Sequence, residues 1–343
     1  MTRIDPAKKT AATENMEESF RALCVSRPAL PVIDIQGCYS TDPGERRRVA
    51  AQIRAACLDK GFLYVTGHRV APALIEGIFE QARRFFGQPD AVKRMSDKVQ
   101  SPANRGYERL GGQMLEKGAR PDCKEGFYIG RDLGPTDPRV IAGRFNHGAN
   151  VWPDQMPEFR SAAEGYFEAM GLLADVLIRA LALALDLDEG FFDEFCHEAS
   201  TNLRLLHYPP QAADADAATR GAGAHTDFGC ITVLLQDDNG GLQVFDKTNG
   251  RWIHASPIPG AFVVNLGDLI ERWTNGRFAS TTHRVINASG RERYSVAFFY
   301  SGNPDHEVRC LPGCLGPGER PKYPPTTVEA HLRECYAATY GGL

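Results

Sequence analysis

Between about residues 200 and 300 the chain is a series of short β-branched, apolar runs cut by turn clusters. Several of those runs carry an imidazole, a carboxylate or a guanidinium where an apolar side chain is expected. The run from Gly229 to Gln236 has the composition of a buried strand, as does Tyr294 to Tyr300, and Ser280 to Asn287 is strand-like. Asp237 to Gly241 and Asp246 to Gly250 are turn sequences, rich in Asp, Asn and Gly. Short strands joined this way form an antiparallel sandwich. Helices earlier in the chain must then pack outside one of its sheets.

Within that frame, His225 and Asp227 stand two residues apart at the start of the first run. Residues i and i+2 of an extended chain point to the same face, so one ion can meet both. A third ligand has to come from a strand distant in sequence, and His283 supplies it. Two neutral imidazoles and one carboxylate leave coordination positions open, which suits Fe(II) that must also take O2 and an oxidisable ligand. Arg293 and Ser295 share a face in the same way. A guanidinium fork beside a hydroxyl suits capture of a carboxylate. Each element alone has a bland explanation: a polar surface turn for His225 and Asp227, a structural histidine for His283, a solvated strand-edge charge for Arg293. Their common order and spacing favour a site.

The string His225-Thr-Asp227, His283, Arg293-Tyr-Ser295 resembles the Fe(II)- and 2-oxoglutarate-dependent dioxygenases, in the branch of isopenicillin N synthase. Leu30-Pro-Val-Ile-Asp34, Gly61-Phe-Leu-Tyr-Val-Thr-Gly-His68, Leu203 to Pro210, Gly240 to Val244 and Val264 to Asp268 extend the likeness over residues 30 to 335. The resemblance implies a double-stranded β-helix, or jelly roll, in a mixed α/β chain with a mainly β core. It implies iron on His225, Asp227 and His283, and 2-oxoglutarate held by Arg293 and Ser295, with Tyr208 touching it. Leu206 stands where many plant relatives have asparagine. Arg105, Tyr107, Lys124 and Phe127 match a segment that borders the substrate cavity in relatives, and Phe299 closes the Arg293 strand. All five are candidate substrate contacts. The implied reaction is oxidation, in its usual form hydroxylation, of a small molecule with release of succinate and CO2. Two alternatives stay open here. One is an oxidase like the synthase, which uses no 2-oxoglutarate; the other is a non-catalytic small-molecule binder on the same scaffold.

Composition narrows the partners. A formal net charge of -4 over 343 residues implies no polyelectrolyte partner, and no basic helix or repeat points to nucleic acid. The nine cysteines are odd in number and scattered, as expected of reduced thiols in the cytoplasm. Cys230, three residues after Asp227, falls on the opposite strand face and is not expected to reach a metal. Residues 160 to 187 read as an apolar spine helix, but Glu164, Asp175 and Arg179 make it too polar to span a bilayer. The expected partner is therefore a free small molecule, with neither membrane nor nucleic acid, and a monomer or weak homo-oligomer.

Residues 1 to 28 are expected to be a disordered leader. Residues 29 to 150 form an N-terminal region, compact with a core at 151 to 340. Pro43 to Lys60 and the stretch after Pro72 have helical apolar spacing, and Phe62 to Val65 between them is a strand. Residues 95 to 150, rich in Gly, Pro and charge, read as long loops. Thr326 to Ala337 reads as a closing helix.

Overall fold

The computed structural model describes residues 29–116, 118–211, 220–287 and 289–340; the expected leader lies outside them. The first helix, α1 (Pro43–Asp59), starts on a proline. Its preceding Asp42 accepts a hydrogen bond from the Gly44 N–H at 2.8 Å, satisfying one of the donors a helix start leaves free. Helix α2 (Pro72–Phe86) also opens on proline. The spine, α3 (Pro157–Ala184), buries Phe159, Tyr166, Met170, Leu173, Leu177 and Leu181 along one stripe. Two later helices are α4 (Asp268–Trp273) and α5 (Val328–Tyr340).

Helices α1, α2 and α3 cover one face of an eight-stranded sheet. Its strands are β1 (Val32–Asp34), β2 (Phe62–Thr66), β3 (Gly106–Glu108), β4 (Glu125–Gly130), β5 (Ser200–Tyr208), β7 (Ile231–Gln236), β10 (Phe262–Leu266) and β12 (Arg293–Gly302). They run in the order β1-β2-β10-β7-β12-β5-β4-β3, antiparallel except for the β1–β2 pair. A four-stranded sheet faces it, made of β6 (Ala222–His225), β8 (Leu242–Asp246), β9 (Arg251–His254) and β11 (His283–Val285), in the order β6-β11-β8-β9. The two sheets make the jelly roll.

Period-two alternation separates the two sides of the large sheet. On β12, Tyr294, Val296, Phe298 and Tyr300 join the helix-side core, where Phe85, Phe127 and Phe159 also meet. The residues between them, Arg293, Ser295, Ala297 and Phe299, take the other face. A second, smaller core of Phe62, Tyr64, Leu206, Leu242, Val244 and Val263 fills the space between the sheets. The site lies beside that second core.

Two expectations are corrected. Residues 95–150 are not all loop, because β3 and β4 extend the large sheet by pairing through β5. Gly126 and Gly130 hid the alternation of Phe127 and Ile129. His225 does not begin the strand that ends at Gln236. It ends β6 in the small sheet, and the chain then crosses through Asp227 to start β7 in the large one.

Candidate active site

His225 and His283 are paired directly across β6 and β11, and the register slips just beyond them, between His283 and Val285. Such a bulge re-aims side chains at a sheet end. The two imidazole centroids are 4.3 Å apart. Asp227 Oδ1 lies 3.8 Å from Nε2 of each ring. One ligand atom from each of the three residues falls within 4.8 Å of the others.

The remaining atoms of these groups are already engaged. Nδ1 of His225 lies 2.7 Å from the Gly223 carbonyl and Nδ1 of His283 lies 3.1 Å from that of Thr281. Carbonyls only accept, so each Nδ1 carries the proton and each Nε2 keeps a lone pair toward the centre. Asp227 Oδ2 accepts from Thr232 Oγ1 at 2.5 Å and from Asn265 Nδ2 at 2.7 Å, which leaves Oδ1 to face the imidazoles. The loop itself is pinned where the Asp268 N–H donates to the Asp227 carbonyl at 2.8 Å. Burial, and then the neighbouring His283, hold the His225 imidazole far below its ordinary value, so it is neutral. Burial alone would raise the Asp227 carboxyl, but His283 and His225 outweigh it and leave the group below its usual range. A carboxylate and two imidazoles converging on one point form a donor set that Fe(II) fits.

Arg293 stands opposite Tyr208 on β5, and Ser295 stands opposite Gln236 on β7. The Arg293 guanidinium is 1% exposed and lies 4.6 Å over the Tyr208 ring. It donates to the Gly240 carbonyl, to Ser295 Oγ at 3.3 Å and to Gln236 Oε1 at 3.2 Å. All three are neutral, and no ion pair engages Arg293 among the described residues. The turn that offers the Gly240 carbonyl needs glycine next to it. Gly241 has φ +99°, and a Cβ there would lie 2.7 Å from the Ile286 oxygen.

A cavity, open at its mouth, touches His225 and Asp227. Asn202 and Arg204 of β5, Tyr128 of β4, Phe299 of β12 and Tyr336 of α5 are among its walls. Of the candidate substrate contacts, Phe299 lines it. Arg105 is one step behind, donating to Asn202 Oδ1 at 2.7 Å. Lys124 is buried and ion-paired with Asp122. Tyr107 and Phe127 are not brought to the cavity. Both face the helix-side core, where Phe127 packs 4.8 Å from Phe85, and the Tyr107 hydroxyl donates to Glu125. Strand parity decides this, since Tyr107 and Phe127 are register partners on the outer face. Cys230 is likewise on the helix side, and the eight described cysteines are unbridged.

Sequence reasoning passed over Thr232, Asn265, Asn202 and Arg204. The signal for the last two was present: Asn202 and Arg204 alternate with Leu203 and Leu205 in one strand, a polar face inside an otherwise buried sheet.

Fold and donor set together define a metal-dependent oxygenase. Residues 199–302 match the 2OG-Fe(II) oxygenase superfamily, and residues 30–155 match the non-haem dioxygenase in morphine synthesis N-terminal family. A 2-oxoglutarate-Fe(II) type oxidoreductase of Emericella nidulans is 48% identical over 317 residues, 91% of each chain. A 2-oxoglutarate-dependent dioxygenase of Monascus ruber is 42% identical, over 91% of this chain and 95% of that one. Among solved structures, a full-length Neurospora crassa protein in complex with alpha-KG and thymine superimposes with a TM-score of 0.80 at 30% identity, covering 93% of this chain and 100% of that one. The chain belongs to the 2-oxoglutarate–Fe(II) oxygenase superfamily, as a non-haem dioxygenase that uses Fe(II), 2-oxoglutarate and O2. No described helix is long and apolar enough to cross a membrane.

Proposed function

We propose that His225, Asp227 and His283 hold one Fe(II), and that Arg293 and Ser295, with Tyr208 alongside, hold the distal carboxylate of 2-oxoglutarate. Iron bound there supplies the activation of O2 that no side chain can provide. The protein's own part is placement. Gly223 and Thr281 set the imidazole tautomers, and Thr232 and Asn265 orient the carboxylate. A free small molecule enters the cavity beside His225 and Asp227, with Phe299 as one wall. It is hydroxylated while 2-oxoglutarate loses CO2 and becomes succinate. The enzyme works in the cytoplasm, as a monomer or weak homo-oligomer. Its unbridged thiols and modest net charge agree with that setting.

The observation that carries the reading is Arg293, a buried guanidinium hydrogen-bonded only to neutral groups, on the strand that pairs with β7, into which Asp227 leads. A buried cation without an anion is costly, and an incoming carboxylate removes that cost. The neighbour from Neurospora crassa was solved with alpha-KG, which supports the same use of the co-substrate here. The test is release of labelled CO2 from 2-oxoglutarate labelled at C1, with iron, ascorbate and air. Turnover that depends on added iron is expected, even if slow without substrate. No release above a His225→Ala control overturns the assignment.

A further inference from the structure

The wall of the cavity formed by β4 and β5 carries one cation, Arg204, beside Tyr128 and Asn202. Arg204 lies 4.3 Å over the Tyr128 ring, and its Nη2 reaches Glu108 Oε2 at 3.2 Å and Gln113 Oε1 at 3.1 Å. Its Nε is buried with no partner. Glu108 is not Arg204's alone, because Lys98 Nζ also sits on it at 2.5 Å. Arg105, 2% exposed, donates at 2.7 Å to Asn202 Oδ1 and at 2.7 Å to the Asn146 carbonyl, both neutral. The other acids nearby are engaged: Asp97 by Arg109, Asp122 by Lys124 and Asp132 by Arg160. Lys98 and Arg204 therefore share the carboxylate of Glu108, and Arg105 has Asp132 in its field but no ion pair among the described residues. Burial pulls the Arg105 guanidinium down, to about 10, whereas at Arg204 burial is outweighed by Tyr128, Tyr340 and Glu108, which hold it above its ordinary value.

The unpartnered Nε leaves Arg204 a guanidinium donor to spare at the cavity wall, which an anion can take up. Asn202 is set to help. Arg105 occupies its Oδ1, so its amide nitrogen remains as a donor at a residue that lines the cavity. Arg204 and Asn202 are two apart on β5, so they share a face. Phe299, the register partner of Asn202, offers a flat apolar surface beside them.

We propose that the substrate is a small organic carboxylate, its charged end read by Arg204 and Asn202 and its carbon skeleton laid along Phe299 toward His225 and Asp227. Arg105 is a positioning residue, fixing the Asn202 amide. This inference rests on the oxygenase reading above and adds the substrate class to it. The charge is a second anion requirement, separate from that of Arg293.

Calorimetric titration of the anaerobic full-length protein, loaded with Fe(II) and 2-oxoglutarate, tests it with three matched probe pairs. These are benzoate and benzamide, phenylacetate and phenylacetamide, hexanoate and hexanamide. At least one acid is expected to bind at least ~10-fold more tightly than its amide, since loss of one partner of a charged pair costs at least that much. Arg204→Gln should erase the acid-over-amide preference, Arg204→Lys should restore part of it, and Asn202→Asp should reverse it by repulsion. A merely structural Arg204 would weaken acid and amide alike and leave their ratio unchanged. Loaded protein that binds none of the acids, or shows no acid preference, overturns this inference alone. Parent protein that forms no Fe(II)–2-oxoglutarate charge-transfer band overturns the oxygenase reading, and this inference with it.

Discussion

Asp227 has two oxygens with different tasks, and the division is enforced by its neighbours. Thr232 and Asn265 hold Oδ2, so Oδ1 alone is turned to the imidazoles. Partners of this kind commonly contribute about 10- to 100-fold to metal affinity. Asn265→Ala should therefore weaken Fe(II) or Mn(II) binding by about 10- to 100-fold, read by equilibrium dialysis, while His225→Ala abolishes it. Unchanged affinity in Asn265→Ala would mean the carboxylate is oriented by other contacts. At Arg293, removal of the guanidinium leaves the 2-oxoglutarate carboxylate without its charged partner, a loss of about 2–5 kcal/mol, or roughly 30- to 4,000-fold. Arg293→Lys should recover only part, because an ammonium lacks the planar fork. His225, His283, Asp227 and Arg293, the proposed site, stand out in the sequence because each is chemically out of place in or beside an apolar run. Thr232 and Asn265 do not, since a threonine and an asparagine in strands are ordinary until a partner strand brings them to Asp227.

At the level of elements, the spine and the strand that carries Arg293 divide the work. Helix α3 presents Phe159 to Phe85 at 5.4 Å and to Phe127 at 4.9 Å, which fixes the back of the large sheet. Phe159→Ala should cost about 3–5 kcal/mol in urea unfolding, the usual range for a buried phenylalanine. A loss under about 1 kcal/mol would show that the helix-side core collapses around the gap. The helices were readable because their apolar positions recur at helical spacing and three of them open on proline. Strand β4 was not, because its glycines break the pattern, and it becomes a strand only by pairing with β5. The same dependence on pairing explains Tyr107 and Phe127. Their segment could be aligned with a cavity wall, but which face they take is set by register, and register is not local. It likewise explains His225, whose neighbour in sequence belongs to the other sheet.

On the scale of the molecule, the proposed ligands come from both sheets. His225 and His283 belong to the small sheet, Arg293 and Ser295 to the large one, and Asp227 to the crossing between them. Metal and 2-oxoglutarate together should therefore tie the sheets to each other and stabilise the whole fold. At about one hundred times its dissociation constant, a ligand that binds only the folded state adds about 2.7 kcal/mol. Anaerobic thermal unfolding should show a higher midpoint with Mn(II) plus 2-oxoglutarate than with either chelator or Mn(II) alone. Midpoints that do not move would show that the ligands do not bind the folded state at these concentrations. The most direct test of the central claim, that one centre built from both sheets holds iron and 2-oxoglutarate, is an anaerobic titration of the Fe(II)–2-oxoglutarate charge-transfer band. The parent should show a saturable band with one equivalent of iron. The band should be lost in His283→Ala and shifted to much higher 2-oxoglutarate concentration in Arg293→Ala. No band in the parent at millimolar 2-oxoglutarate, or an identical titration in Arg293→Ala, would contradict the account.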